Sequence, residues 1–128
     1  MPMSFHIDRR QRCIFIRLTG VLTEWDTGVT VQHMWHHADF DPAFDRLADA
    51  LDVERLGMDR QFVLALAGDQ KALQSSARIA LVAQGSIIKA FQDVYAPNAG
   101  SVECRAFSSR QEALDWLGVE MPQFAVPG

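Results

Sequence analysis

Cysteine occurs only twice in the 128 residues, at Cys13 and Cys104. That scarcity excludes a disulfide framework and any CxxC redox or zinc motif. Both sit in apolar, strand-like runs and read as buried thiols of a reducing compartment. No apolar run approaches the length of a membrane span, and the N-terminus lacks the apolar core of a secretory leader, so the expectation is a soluble, cytoplasmic chain. Basic residues cluster nowhere beyond RRQR (Arg9, Arg10, Arg12), and the net charge is −4 with a pI near 5.4. That excludes a general nucleic-acid surface. RRQR reads as a solvated hairpin turn, with contact to an anionic lipid or partner as the alternative. Nucleophile elbows are missing too. There is no GxSxG, Ser75, Ser76, Ser108 and Ser109 fall in apparent loops or caps, and the carboxylates are scattered rather than paired. QGS (84–86) before a helix carries one glycine, a poor phosphate cradle.

What is present is a core. Hydrophobic residues make up 48% and charged ones 22%, enough to fill one globular domain. Met3, Phe5 and Ile7 alternate with polar residues, and Ile14, Ile16 and Leu18 share one face after the turn, so the two runs predict a β-hairpin. Thr23 offers an N-cap, with Asp26 three residues on, for a helix to about Ala38. The segment 41–53 has helical spacing at Phe44, Leu47, Ala48 and Leu51, yet its length suits a buried strand equally. Asp59 caps the next helix, through RQFVLALAG. RIALVAQ (78–84) has the unbroken apolar character of an interior parallel strand. GSIIKAFQDVYAP predicts an amphipathic helix with Ile87, Ile88, Phe91, Val94 and Tyr95 on one side. SVECRAF (101–107) is a strand, and Ser109 caps a last helix that Gly118 closes. A tail containing Pro122 and Pro127 follows, so the domain is assigned to residues 1–120 and the tail to 121–128. A hairpin followed by alternating strands and helices implies an α/β fold with one mainly parallel sheet and helices packed across it.

The second half, RIALVAQGSIIKAFQDVY, then a strand ending in AF, then SSRQEALDWLG, resembles the bacterial SpoIIAA-like family. That family is related to the STAS anti-sigma-factor-antagonist domain and is similar to the CRAL-TRIO lipid-carrier fold. LTGVLTEWD and LADALDVERLGMD fit its first half, and the likeness covers most of residues 5–118. The resemblance implies that about Arg46–Ala50 is a strand, with Asp49 near its end. It also implies non-enzymatic roles: holding a small apolar ligand or lipid, associating with a membrane surface, or docking a protein partner. A phosphorylatable antagonist would carry serine at the helix start after the central strand, where this chain reads GMDRQF. Asp59 and Arg60 stand there without a hydroxyl. Asp93 likewise stands where the family tends to have arginine, whereas Tyr95 fits.

Three of the four histidines crowd into VQHMWHHADF. His33 and His37 are one turn apart and could share an ion, but Asp26 lies two turns before His33, about 10 Å along the axis. HMWHH also lacks the general-base glutamate of HExxH. On a helical wheel Asp26, Thr30, His33 and His37 form one polar stripe, read as the outer face, with His36 between Trp25 and Val29. The aromatics suggest more. Trp25, Trp35, Phe91 and Tyr95, with His36 and Gln92 as polar handles, are the candidate lining of an apolar pocket between helices and sheet, the alternative being a filled core. Phe40 belongs to the same aromatic set, and Trp116 is assigned to the core. Gly28 and Gly100 are candidate hinge points. The expected function is a non-enzymatic binder of an apolar ligand or lipid, without cofactor or metal and with self-association as a homodimer. A STAS-type interaction module is the alternative, and a metal-dependent enzyme using His33 and His37 a distant third.

Overall fold

Alternation in the first eighteen residues forms the hairpin it predicts. Strand β1 (Met3–Asp8) pairs antiparallel with β2 (Cys13–Thr23), Met3 opposite Leu18 and Asp8 opposite Cys13. Asp8 fastens the turn by accepting the Gln11 N–H at 3.1 Å, and Arg12 closes it at φ 55°. The structure, a computed structural model, describes residues 2–122. Strand β2 runs directly into helix α1 (Glu24–Trp35), the Thr23 hydroxyl accepting the Asp26 N–H at 3.1 Å. The helix stops three residues before the expected Ala38. His37 then accepts the Asp39 N–H on its Nδ1 at 3.0 Å, a side-chain bond that competes with another helical turn.

Segment 41–53 resolves as a strand, longer than the resemblance implied. β3 (Asp45–Gly57) pairs parallel with β2 along its whole length. It carries two extra residues as bulges, opposite Arg17–Thr19 and opposite Gly20–Val21. Bulges sharpen twist and bend the strand that carries them. Helix α2 (Arg60–Ala72) is capped by Asp59, which accepts the Phe62 N–H at 2.9 Å. Strand β4 (Arg78–Val82) leads to α3 (Ser86–Ala90). The single amphipathic helix expected there is three pieces: α3, a wide π turn over Phe91–Tyr95 and a tight 3-10 turn over Ala96–Asn98. Strand β5 (Glu103–Phe107) and helix α4 (Arg110–Leu117) follow, α4 capped by Ser109 and ended by Gly118 at φ 70°.

The sheet order is β1-β2-β3-β4-β5, parallel from β2 onward. Because that order never reverses, crossovers of one hand place α1, α2 and α3 on the same face. Helix α4 follows the edge strand and folds back beneath the other face. There Cys13 and Phe15 of β2, Leu47 of β3, Ala80 and Val82 of β4 and Ala113, Leu114 and Leu117 of α4 form a closed core. Both ends of α4 are fastened. Arg110 Nε donates to Asp49 at 2.5 Å, and Arg78 donates to the carbonyls of Trp116 and Leu117 while pairing with Asp45 at 2.9 Å. Just past the expected boundary Met121 packs against this core, and Glu120 exchanges two hydrogen bonds with Gln11. Pro127 and the rest of the expected tail beyond Pro122 lie outside the described residues.

Leu47 is 1% exposed at the middle of this closed face. Leu47→Ala should cost about 2–5 kcal/mol of stability, read as a lowered midpoint in urea unfolding with an unchanged slope.

Candidate functional site

Strand β3 faces two ways. In RLADAL, Leu47 and Leu51 pack toward α4, and Arg46, Ala48 and Ala50 face α1–α3. Two alanines in the middle of a sheet floor leave space, because a methyl group cannot reach the helices above. The result is a partly open cleft of about 200 Å³. At about 30 Å³ per water in the liquid, it matches roughly seven water-sized groups, the bulk of a medium-length alkyl chain. Ile16 and Leu18 of β2 and Ile79 and Leu81 of β4 flank the alanines. Val31, Met34 and Trp35 of α1, Val63 and Leu66 of α2, and Ile87, Phe91 and Tyr95 after β4 form the roof. The bulged far end of the β2–β3 ribbon reaches the same space through Leu22 and Leu56.

Four polar side chains belong to this lining: Arg46, Gln70, Thr27 and Tyr95. Arg46 and Gln70 are each 3% exposed. One terminal nitrogen of Arg46 donates to the side-chain carbonyl of Gln70, and the other to the Pro42 carbonyl at 3.0 Å. Its guanidinium also lies 5.8 Å from the Phe40 ring centroid. Arg46 Nε, Gln70 Nε2 and the hydroxyls of Thr27 and Thr30 have no hydrogen-bond partner among the described residues. Nor does Arg46 pair with a carboxylate there. Asp45, its chain neighbour, is engaged by Arg78. Burial holds the Arg46 pKa below its ordinary value, the expected sign for a cation drawn out of water. The same burial raises the Tyr95 phenol, and pushes the Cys104 thiol up to about 11, each against the pull of Arg46. Both stay neutral at physiological pH, so neither supplies Arg46 with a counter-charge.

The expected site residues separate into two groups. Trp35, Phe91 and Tyr95 line the cleft, the last two stacked at 5.4 Å between ring centroids. Trp25, His36 and Gln92 do not. Trp25 is 79% exposed, and His36 and Gln92 are exposed as well. Trp25 and Met34 are nine residues apart, two and a half turns at 3.6 residues per turn, so they face opposite ways. Since Met34 is buried with Thr27 and Thr30 while Val31 and Trp35 join the roof, the threonines face the sheet and Trp25 faces outward beside Glu24, Gln32 and His33. This reverses the expected outer stripe at Thr30. The run-on from β2 sets the rotation of the helix, and hydropathy alone gave no reason to turn Trp25 outward. His36 Nδ1 lies 2.8 Å from the Gln32 carbonyl instead of entering the cleft. His33 is exposed, while His37 packs edge-on against Phe5 at 6.0 Å. Among the described residues no three His, Cys, Asp or Glu side chains are placed to hold one metal ion.

Gly100 is a fixed turn at φ 83°, where an added Cβ would meet Lys71 at 3.0 Å, which does not suit a hinge. Asp93 forms an exposed ion pair with Lys89 at 2.7 Å. Cys13 and Cys104 lie on opposite faces of the sheet, in the α4 core and beside Ile79 respectively. No described helix is long and apolar enough to cross a membrane. Arg46, Gln70, Thr27 and the two alanines were missed by the sequence reading. The legible signal was period two in RLADAL once it is a strand, which leaves a charged residue on an interior face.

Neither a family model nor a curated protein matches the sequence. Among solved structures the chain is similar to an uncharacterized DUF3478-family protein with a SpoIIAA-like fold from Shewanella loihica PV-4. The TM-score is 0.61 at 21% identity, over 90% of this chain and 93% of that one. The fold is SpoIIAA-like. The SpoIIAA-like arrangement matches this mixed α/β fold with its five-stranded, mostly parallel sheet. It leaves the cleft and its polar lining to be read from this chain's own residues.

Two measurements follow from these burials. Thr30→Val removes an unpartnered buried hydroxyl at constant shape and should raise stability by about 1 kcal/mol in urea unfolding. Burial also pushes the Cys13 thiol from 9.0 to about 12. A thiol whose pKa is raised in the folded state keeps its proton there after the unfolded chain has lost it. Stability is therefore undiminished below pH 9 and falls as the pH climbs toward 12. Cys13→Ala should flatten that alkaline decline, measured as unfolding midpoint against pH.

Proposed function

We propose that this SpoIIAA-like protein is a non-catalytic binder of a small apolar ligand, held in the cleft between the sheet and helices α1–α3. The observation that carries the reading is the alanine floor: Ala48 and Ala50 open a space of about 200 Å³ that larger side chains at the same positions would close. Ligand sites are concave and mostly apolar, with few polar groups that fix orientation, and this cleft has that composition. Its volume suits a small amphiphile or one segment of a lipid better than a whole diacyl lipid. Burying the ligand's apolar surface supplies about 25 cal/mol per Å² before ordering costs. Residence in the cytoplasm and assembly as a homodimer belong to the same proposal.

A second reading, docking of a protein partner as in STAS modules, is favoured by one feature. Trp25 stands 79% exposed on the outer face of α1. Trp25→Ala should leave ligand binding intact and abolish any such association, measured as the molar mass of the complex by size-exclusion chromatography with light scattering.

Native mass spectrometry of protein purified without added ligand, followed by solvent extraction, tests the first reading, and a reproducible apolar adduct is expected. Ala48→Leu is the matching variant. Filling a real cleft, it should leave stability unchanged or raised and remove the adduct. In a fully packed core the same change would cost about 1–3 kcal/mol.

A further inference from the structure

We infer that the ligand of this cleft is a monoanionic amphiphile, a carboxylate on a medium-length alkyl chain, whose head pairs with Arg46 and whose chain lies over Ala48 and Ala50. The inference rests on the ligand-binding reading above and specifies the chemistry of its ligand.

Charge is the first ground. Arg46 is 3% exposed, and no carboxylate among the described residues pairs with it. Asp45 belongs to Arg78, and the two other ionisable groups that its charge reaches, Tyr95 and Cys104, are neutral acids at physiological pH. A buried charge without a partner is strongly destabilising, and neutral hydrogen-bond acceptors such as Gln70 and Pro42 do not cancel it. An anion entering the cleft does.

Donor geometry is the second ground. Gln70 turns its carbonyl oxygen to the guanidinium, which leaves its NH₂ group a spare donor, as is the Nε–H of Arg46. Nitrogen donors of this kind suit a carboxylate, whose two oxygens accept up to four hydrogen bonds and favour an arginine fork. Among the described residues Arg46 is the only charged side chain of the lining, so the match is to one negative charge, not to a phosphate dianion. Apart from Thr27, everything beyond the polar end is aliphatic or aromatic, which calls for an alkyl tail.

Isothermal titration calorimetry of the full chain at neutral pH, with octanoate, 1-octanol, octyl phosphate, acetate and inorganic phosphate, tests this. Octanoate should bind at least tenfold tighter than octanol, a difference of about 1.4 kcal/mol, and octyl phosphate and the two free anions should bind more weakly than octanoate. Arg46→Met should erase the preference for octanoate while keeping octanol binding, and unfold no more easily than wild type without ligand. Arg46→Lys should restore part of the preference. Equal affinity for octanoate and octanol in wild type overturns the anionic head and leaves apolar binding standing. A preference for octyl phosphate, or for acetate or phosphate alone, overturns the carboxylate amphiphile. If neither octanoate nor octanol binds, the ligand-binding reading falls with it. The wild-type comparison decides even if Arg46→Met does not fold.

Discussion

Strand β3 is buried on both faces, and the two faces ask for different things. Toward α4 it must fill space, and Leu47 does so among Phe15, Val82 and Leu114. Toward α1–α3 it presents Arg46, Ala48 and Ala50, one charge and two methyl groups. A strand's side chains alternate strictly, so neither set can be moved without moving the other. Register with β2 and β4 therefore places the cleft floor and the closed core in a single act of pairing. The bulges carry the ribbon onward, so that Leu22 and Leu56 close the far side of the cleft.

The two layers are held by different means. Helix α4 is fastened by directional bonds at each end, Arg110 to Asp49 and Arg78 to the last carbonyls, with Trp116 lying under Arg78 and Arg105 at 5.3 and 5.2 Å. Over the cleft the contacts are mostly apolar, and several buried polar atoms there are unsatisfied: Thr27, Thr30, Arg46 and Gln70. Unmet polar groups concentrated on one face cost stability that a protein does not need to spend on folding alone. Their position is the reason to read that face as the working one.

Much of the architecture was legible in the sequence. The hairpin, the caps at Thr23, Asp59 and Ser109, the Gly118 stop and the strand at 78–82 all follow from local chemistry, and the structure has each of them. Less legible were features set by tertiary context. The segment 41–53 has helical spacing and becomes a strand because it pairs on both sides. Helix α1 turns its threonines inward because β2 delivers it at a fixed rotation. The site was half legible: large aromatics such as Trp35, Phe91 and Tyr95 announce themselves, whereas a cavity is made by what is small. Ala48 and Ala50 carry no signal until the strand is known, and Arg46 becomes conspicuous only when its burial is known.

That asymmetry of size has an evolutionary consequence. Ala48 and Ala50 point away from the α4 core, so their side chains can lengthen or shorten without disturbing the layer that Leu47 anchors. Two codons thus act as a length gauge for whatever occupies the space above them. Relatives sharing this backbone can differ in the size of this cleft through substitutions that leave the α4 core untouched, and sequence comparison weighted toward large hydrophobes would overlook the difference.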